Sequence, residues 1–145
     1  MPVYDVPGVD ESDGEVYKTL EPGVYPATIQ SCTFKTIEKE GDYKGSIMLM
    51  YSVVATNPED GVEVSAQNSI ILPIAAEGYS SPMDAEKKRK SLASVKKLQI
   101  ACGLESMGTG IDNEAFLYAD LQVELGEAKD EGYGLRNPLR DVLPA

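Results

Sequence analysis

The chain has 145 residues, a formal net charge of −11 and no histidine. This length suits a single domain that buries about two thirds of the surface of its unfolded chain in one core. Without histidine, Ser-His-Asp and Cys-His catalysis are excluded, and no residue pattern marks another enzyme, a metal site or a cofactor. We therefore expect a protein that is not an enzyme.

The two cysteines, Cys32 and Cys102, are too few and too far apart in the sequence for a disulfide framework or a zinc site. Both lie in apolar segments, so we predict reduced thiols in the core. The N-terminus has no basic-then-apolar leader, and no run of about 18 apolar residues could cross a membrane. We expect a cytoplasmic protein without membrane association.

The first predicted element in chain order is an acidic arm. Residues 1–21 hold six carboxylates and one lysine, together with prolines, glycines and little periodicity. We interpret this stretch as a flexible N-terminal arm, and residues 22–145 as the folded domain.

Three strands are predicted next, because apolar residues alternate with period two over residues 23–35, 46–56 and 62–72. The connections at 38–45 and 57–61 are polar and rich in turn-forming residues, which indicates an antiparallel meander. The apolar faces contain Tyr25, Ala27, Ile29, Ile47, Leu49, Tyr51, Val53, Val62, Val64 and Ala66. On the second strand, Met48 and Met50 fall on the opposite face, where they are candidates for contact with a ligand.

A helix is predicted after a break at residues 73–82, with Asp84 as its N-cap and Gly103 at its end. The side chains that fall near one face of this helix are Leu92, Val95, Leu98, Gln99 and Cys102.

The rest of the chain predicts a short helical turn at 112–119 and a fourth strand through Leu121, Val123 and Leu125. A polar loop at 127–134 precedes a last strand at 135–143, which Pro138 interrupts. The order βββ-helix-ββ is that of the OB-fold. We therefore predict a mainly β (α+β) domain, a five-stranded OB-fold-like Greek-key barrel with one helix between strands three and four. Such barrels bind oligonucleotides over strands two and three and through two loops, which here are 38–45 and 127–134.

Positive charge is concentrated in one segment. Residues 84–103 carry six of the 13 Lys and Arg residues and two carboxylates, a net charge of +4, which leaves −15 for the rest of the chain. Such a helix either presents a local anion-binding surface or simply solvates its outer face. The charge pattern alone favours the second interpretation.

Three stretches resemble a known family: Glu21-Pro-Gly-Val-Tyr25, Leu98-Gln-Ile-Ala-Cys-Gly-Leu104 and Arg136-Asn-Pro-Leu-Arg-Asp-Val-Leu-Pro144. Together they are similar to small early-region proteins of bacteriophages, several of which are regarded as single-stranded DNA-binding proteins. The likeness covers about residues 21–144. One departure is the C-terminus, because many phage single-strand binders end in an acidic tail tipped by an aromatic residue and this chain does not.

The resemblance implies an OB-fold protein that binds single-stranded DNA without sequence preference during phage DNA replication or recombination. Its location would be the cytoplasm of the infected bacterial host cell. Its partners would be single-stranded DNA and phage replication or recombination proteins, and a homo-oligomer is left open.

Single-strand binding requires cations for phosphates and aromatic rings for bases. The candidate cations are Lys35, Lys39 and Lys44 around the first loop, Lys87, Lys88, Arg89 and Lys90 at the start of the helix, and Arg136 and Arg140 near the end. The candidate stacking residues are Phe34, Tyr43, Tyr79 and Tyr133, which lie in or beside loops.

Two other classes of protein remain open. A phage virion decoration or tail-associated structural protein would also suit a compact acidic β-domain with an arm. A protein-interaction module of the same barrel type would dock its basic helix on an acidic partner. Binding of a single-stranded oligonucleotide separates these classes.

Overall fold

The segments with alternating apolar residues form strands, and a helix separates the third strand from the fourth. The computed structural model describes residues 2–7, 18–130 and 134–145. In chain order its elements are β1 (Gly23–Thr36), β2 (Ser46–Thr56), β3 (Glu63–Ala75), α1 (Ala85–Ala101), β4 (Asp120–Leu125), β5 (Lys129–Asp130), β6 (Leu135–Arg136) and β7 (Leu139–Pro144). Two 3₁₀ turns, Glu105–Met107 and Asn113–Phe116, connect α1 to β4.

Five strands form one antiparallel sheet in the order β3-β2-β1-β4-β7, and β5 and β6 form a separate two-stranded ribbon. The portion β4-β1-β2-β3 is a Greek key, since β4 returns after a long connection to lie beside β1. The sheet curls into half a barrel, and its edge strands β3 and β7 approach each other. Within the described residues these two edges share no ladder of hydrogen bonds. We call the gap between them the seam.

The core fills the concave side of the curled sheet. Cross-strand neighbours such as Ile29 and Val53 are fully buried there, as the period-two pattern predicted. A bulge after Ile29 shifts the alternation of β1 by one residue, so that Cys32 also points inward. From the second 3₁₀ turn, Phe116 adds a fully buried ring against β1. Burial of such a ring contributes about 2–3 kcal/mol.

The beginning of the domain is fixed to its end by a buried amide. Asn137, 5% exposed, accepts a hydrogen bond from the Leu20 N–H (2.8 Å) and donates to the carbonyls of Leu20 (2.7 Å) and Gly126 (2.9 Å). Leu20 is itself buried, although it lies in the stretch that the sequence assigned to the acidic arm. Near the start of β1, the Tyr25 hydroxyl donates to the Glu21 carbonyl (2.6 Å). Asn137, in one of the stretches that carry the family resemblance, thus contacts the residue that immediately precedes another of them.

The chain order of strands differs from the predicted βββ-helix-ββ. The loop predicted at 127–134 contains β5, and the last predicted strand, 135–143, is two strands with different partners. Its first part, β6, pairs with β5, while β7 pairs with β4. Pro138 lies between them and lacks the N–H that a continuous ladder would use. The strand predicted to end at residue 72 continues to Ala75.

The predicted start of the helix is correct, but one residue that was assigned to a shared face of the helix lies elsewhere. Asp84 accepts a hydrogen bond from the Lys87 N–H (2.8 Å), as an N-cap does. Leu92, predicted to share a face with Val95 and Leu98, is 49% exposed, whereas Ser91 is buried. The Ser91 hydroxyl donates to the Ile71 carbonyl (2.6 Å) on the edge of β3. That hydrogen bond, which hydrophobicity does not reveal, sets the rotation of the helix.

Candidate nucleic-acid interface

Helix α1 packs against β3 and β7 and borders the seam. Its 17 residues include six cations and one carboxylate, Glu86, which gives the helix a net charge of +5. Lys90, Ser94 and Lys97 follow a spacing of four and three residues, so they lie on one face of the helix. Lys87, one turn earlier, falls on the same side, whereas Lys88 lies about 200° around the helix from Lys90. The predicted basic residues are therefore divided between two sides of α1.

A cleft of about 460 Å³ opens between α1 and the two strands of the seam. Its apolar lining consists of side chains that are buried or half-buried, and its rim carries charged residues from the helix and β7. The residues of this seam cleft are Tyr51, Asn68, Ser69, Ile70, Ile71, Lys90, Ser91, Ser94, Lys97, Leu139, Arg140, Asp141 and Val142. Lys90 and Arg140, both predicted from the sequence, are brought together here.

Charges in the seam cleft are unevenly paired. Lys97 forms an ion pair with Asp141 (2.5 Å), and the hydrogen bond from Lys97 holds the pKa of Asp141 below its usual value. Lys90 pairs with Glu86 at 3.3 Å, but both side chains are about two thirds exposed, and such surface pairs contribute little. Arg140 makes no ion pair with any residue that the structure describes. Its side chain packs closely against Gly126, so that a Cβ added to this glycine would lie 2.7 Å from the Nε atom of Arg140.

The connection between β1 and β2 holds a second group of predicted residues. Tyr79 packs one ring face against Gly45, whose φ of +87° and lack of a Cβ permit the contact. Tyr79 is still 50% exposed. In the same region Lys44 forms an ion pair with Glu40, and Tyr43 is half-buried.

Residues at the end of β1 divide between the two faces of the sheet. Phe34 pairs with the buried Leu49 and continues the row of core-facing positions, with 41% of its surface exposed. Lys35 pairs with Met48 on the convex face. Lys39 is exposed in the connection that follows.

The predicted residues do not form one continuous track. The β1–β2 connection follows Thr36, whereas the other end of β1, Gly23, pairs with Leu125 next to the β5–β6 ribbon. The 14 residues of β1 separate these ends by on the order of 40 Å along the strand. Arg136, in β6, pairs with Lys129 at the ribbon end. The predicted Tyr133 lies outside the described residues.

The convex face of β1, β2 and β3 is nearly free of charge. Met48 and Met50 lie there, half-buried, and their cross-strand neighbours are mostly hydroxyl or apolar side chains. The rows across the three strands are Thr28-Val54-Ser65, Ser31-Ser52-Gln67, Thr33-Met50-Ser69 and Lys35-Met48-Ile71. Apart from Lys35, the described cations therefore lie outside this face.

Neither cysteine is disulfide-bonded. Burial raises the pKa of the Cys32 and Cys102 thiols to about 11, which keeps them protonated at neutral pH. Burial likewise raises the pKa of Tyr51, at the base of the seam cleft, to about 12. Its hydroxyl is neutral under the same conditions.

Neither a metal site nor a membrane-spanning helix is found in the part of the chain that the structure describes. No three acidic or sulfur-bearing side chains gather closely enough to hold a metal ion. None of the described helices combines the length and the apolar composition needed to cross a membrane.

Of the residues that line the seam cleft, only Lys90 and Arg140 were among the predicted site residues, and Lys97 and Asn68 are two polar residues that the sequence analysis missed. Lys97 follows Lys90 by seven positions, a spacing that places both on one helix face and that could have indicated it. Asn68 lies in an exposed part of β3, and no sequence signal distinguishes it from other polar strand residues.

Compared with known proteins, this chain matches no protein-family model, no curated protein and no solved structure.

Proposed function

We propose that this protein binds single-stranded DNA without sequence preference, along the side of α1 that borders the seam. The observation that carries the proposal is the convergence of Lys90, Lys97 and Arg140 on one cleft with an apolar base. Single-strand binding combines cations that track the backbone with apolar or aromatic surface for the bases. The family resemblance of the sequence supports the same function.

The net charge of −11 does not oppose this proposal. Exposed charges are screened over about 8 Å at physiological salt, so affinity follows the local field around α1 rather than the total charge. With a net charge of +5, the helix is a local exception in an acidic protein. Acidic surface elsewhere would keep the strand on this path.

We further propose that the domain is a variant of the OB-fold barrel that is open at the seam. The Greek-key order and the helix between β3 and β4 support this relationship. In that fold the first loop and the last loop flank the oligonucleotide, but here they lie at opposite ends of β1. The cation-rich seam is therefore a better path than the convex face.

The same proposal extends to the biological setting that the resemblance implies. The protein would act in bacteriophage DNA replication or recombination, in the cytoplasm of the infected host, as a binding protein rather than an enzyme. Its protein partners would be phage replication or recombination proteins. The exposed side of α1 that carries Lys88 and Arg89 is available for them.

The test is fluorescence anisotropy with a labelled dT oligonucleotide, with a duplex of equal length as the control. Binding should weaken as salt rises, with a slope of about −0.7 per phosphate contact in a plot of log K against log salt concentration. The double variant Lys90→Gln/Arg140→Gln should make the slope shallower by about 1.4 and weaken binding about 25-fold at 0.1 M salt.

A matched control is the double variant Lys35→Gln/Lys39→Gln, which removes the same charge from the end of β1. It should weaken binding by less than about threefold, because it changes only the long-range field. If the control variant has the larger effect, the path along α1 is wrong while single-strand binding stands. Absence of binding at low salt, or equal affinity for the duplex, would refute the proposed function.

A further inference from the structure

The seam cleft has two chemically different parts. Its base is formed by apolar side chains that are at most 9% exposed, namely Tyr51, Ile70, Leu139 and Val142. Its rim carries Lys90, Lys97 and Arg140. A volume of about 460 Å³ lies within the range of about 300–1,000 Å³ typical of small-molecule sites. The cleft is therefore large enough for one nucleotide but not for a folded partner.

The charge available to a ligand comes from two of the three cations. Asp141 lines the cleft, and its ion pair with Lys97 leaves that pair without net charge. Lys90 has only its exposed pair with Glu86, which a phosphate can replace at small cost. Lys90 and Arg140 thus remain to bind an anionic group at the rim.

The strand edges that face the seam already have hydrogen-bond partners. The Ser69 N–H donates to the Asn68 Oδ1 (2.8 Å), and the Val142 N–H donates to the Asp141 Oδ1 (2.9 Å). On β3 the Ile71 carbonyl accepts from Ser91 (2.6 Å). An added peptide strand would have to displace these side chains, because it binds through the same backbone groups. These contacts make the seam a poor site for strand addition.

The remaining polar groups suit a planar ring with polar edges. The Asn68 amide has its oxygen engaged by Ser69 and a hydrogen bond to the Tyr51 hydroxyl, which leaves one N–H of its Nδ2 group to donate to a carbonyl or ring nitrogen of a base. The apolar base of the cleft can cover one face of the ring by van der Waals contact. An inorganic anion would use the rim alone.

We infer that the seam cleft binds one nucleotide of the strand, with the base between β3 and β7 beside Asn68 and its phosphate held by Lys90 and Arg140. This inference rests on the proposed function, since the nucleotide belongs to the bound strand. It adds a site for one base to the proposed path of the strand along the cations of α1. It also predicts that free nucleoside monophosphates bind in the same cleft.

The test uses the full chain labelled with ¹⁵N and titrated with dTMP, thymidine or inorganic phosphate. The Asn68 side-chain amide and the backbone N–H groups of Ser69 and Val142 report on the cleft. We expect dTMP to shift these signals and to bind about fivefold or more tightly than phosphate or thymidine, because each lacks one half of the ligand. Equal affinity for dTMP and phosphate would overturn the inference, as would dTMP shifts confined to other residues.

Two variants make the test specific. Lys90→Gln should reduce the advantage of dTMP over thymidine, because only Arg140 then remains to hold the phosphate, whereas Lys39→Gln, outside the cleft, should preserve it. Asn68→Ala should weaken the binding of dTMP without changing the binding of phosphate. If the dT oligonucleotide binds but dTMP does not enter the cleft, the subsite is refuted and the proposed function survives. If neither the oligonucleotide nor dTMP binds, both are refuted.

Discussion

Replacing Asn137 with alanine removes three hydrogen bonds by a single change. The side chain is 5% exposed and connects Leu20, ahead of β1, to Gly126, after β4. Alanine would leave one N–H and two carbonyl groups of the backbone without this partner. The hydrogen bonds from Asn137 also hold the backbone of the buried Leu20 in place, so the variant would weaken the packing of the Leu20 side chain.

The expected loss follows from the number of bonds. Each buried hydrogen bond contributes a net of about 1 kcal/mol, so three give about 3 kcal/mol. A domain of this size has a total free energy of unfolding of about 5–15 kcal/mol. With a urea m-value of about 1.5–3 kcal/mol/M, the midpoint should fall by about 1–2 M.

The assay is urea unfolding followed by circular dichroism, with Asn113→Ala as the matched control. Asn113 is half-buried and makes one comparable hydrogen bond, to the Cys32 carbonyl (2.8 Å). We expect that variant to lose about 1 kcal/mol. If the two variants lost the same free energy of unfolding, the assignment of Asn137 as the contact that joins the two ends of the domain would be wrong.

Three further predictions concern stability and binding. The Ser46 hydroxyl is buried without a hydrogen-bond partner in the described part of the chain, so Ser46→Ala should raise the urea unfolding free energy by about 1 kcal/mol; a loss of that size would contradict it. Lys97→Gln removes the hydrogen bond that lowers the pKa of Asp141. The stability from a lowered carboxyl pKa is present above the unfolded value of about 3.9 and is lost as the pH falls through the lower folded pKa. The variant should therefore lose up to about 1 kcal/mol at pH 7 and nothing in acid where Asp141 is protonated; equal losses at both pH values would exclude this linkage. Deleting residues 1–17 removes five carboxylates and no cation while it keeps Leu20, so oligonucleotide anisotropy should show tighter binding at low salt. Unchanged affinity would show that these carboxylates do not compete with DNA.

The sequence predicted the parts of the site that depend on local chemistry. The alternation in β2 placed Leu49 and Tyr51 toward the core and Met48 toward the other face, because side chains in a strand alternate sides. Asp84 was recognised as the N-cap because its short carboxylate satisfies a free N–H of the first helical turn.

Long-range contacts corrected the details that these rules cannot give. Leu92 was predicted to share a face with Val95 and Leu98, but Ser91 faces β3 with a hydrogen bond to Ile71 and Leu92 is exposed. Pro138 was read as an interruption of one strand, whereas it separates two strands with different partners. In each case the difference lies in a contact with another element of the fold.

By itself, the sequence determined the strands, the helix and the concentration of cations between residues 84 and 103, since each depends on neighbours within a few positions. Only the tertiary structure decided which cations meet. Lys90 and Arg140 are 50 positions apart. They line the same cleft because the two edge strands of the curled sheet, β3 and β7, approach each other beside α1 without pairing with each other. Arg136 and Lys44 are kept apart because β1 carries the first loop and the ribbon to opposite ends of the sheet.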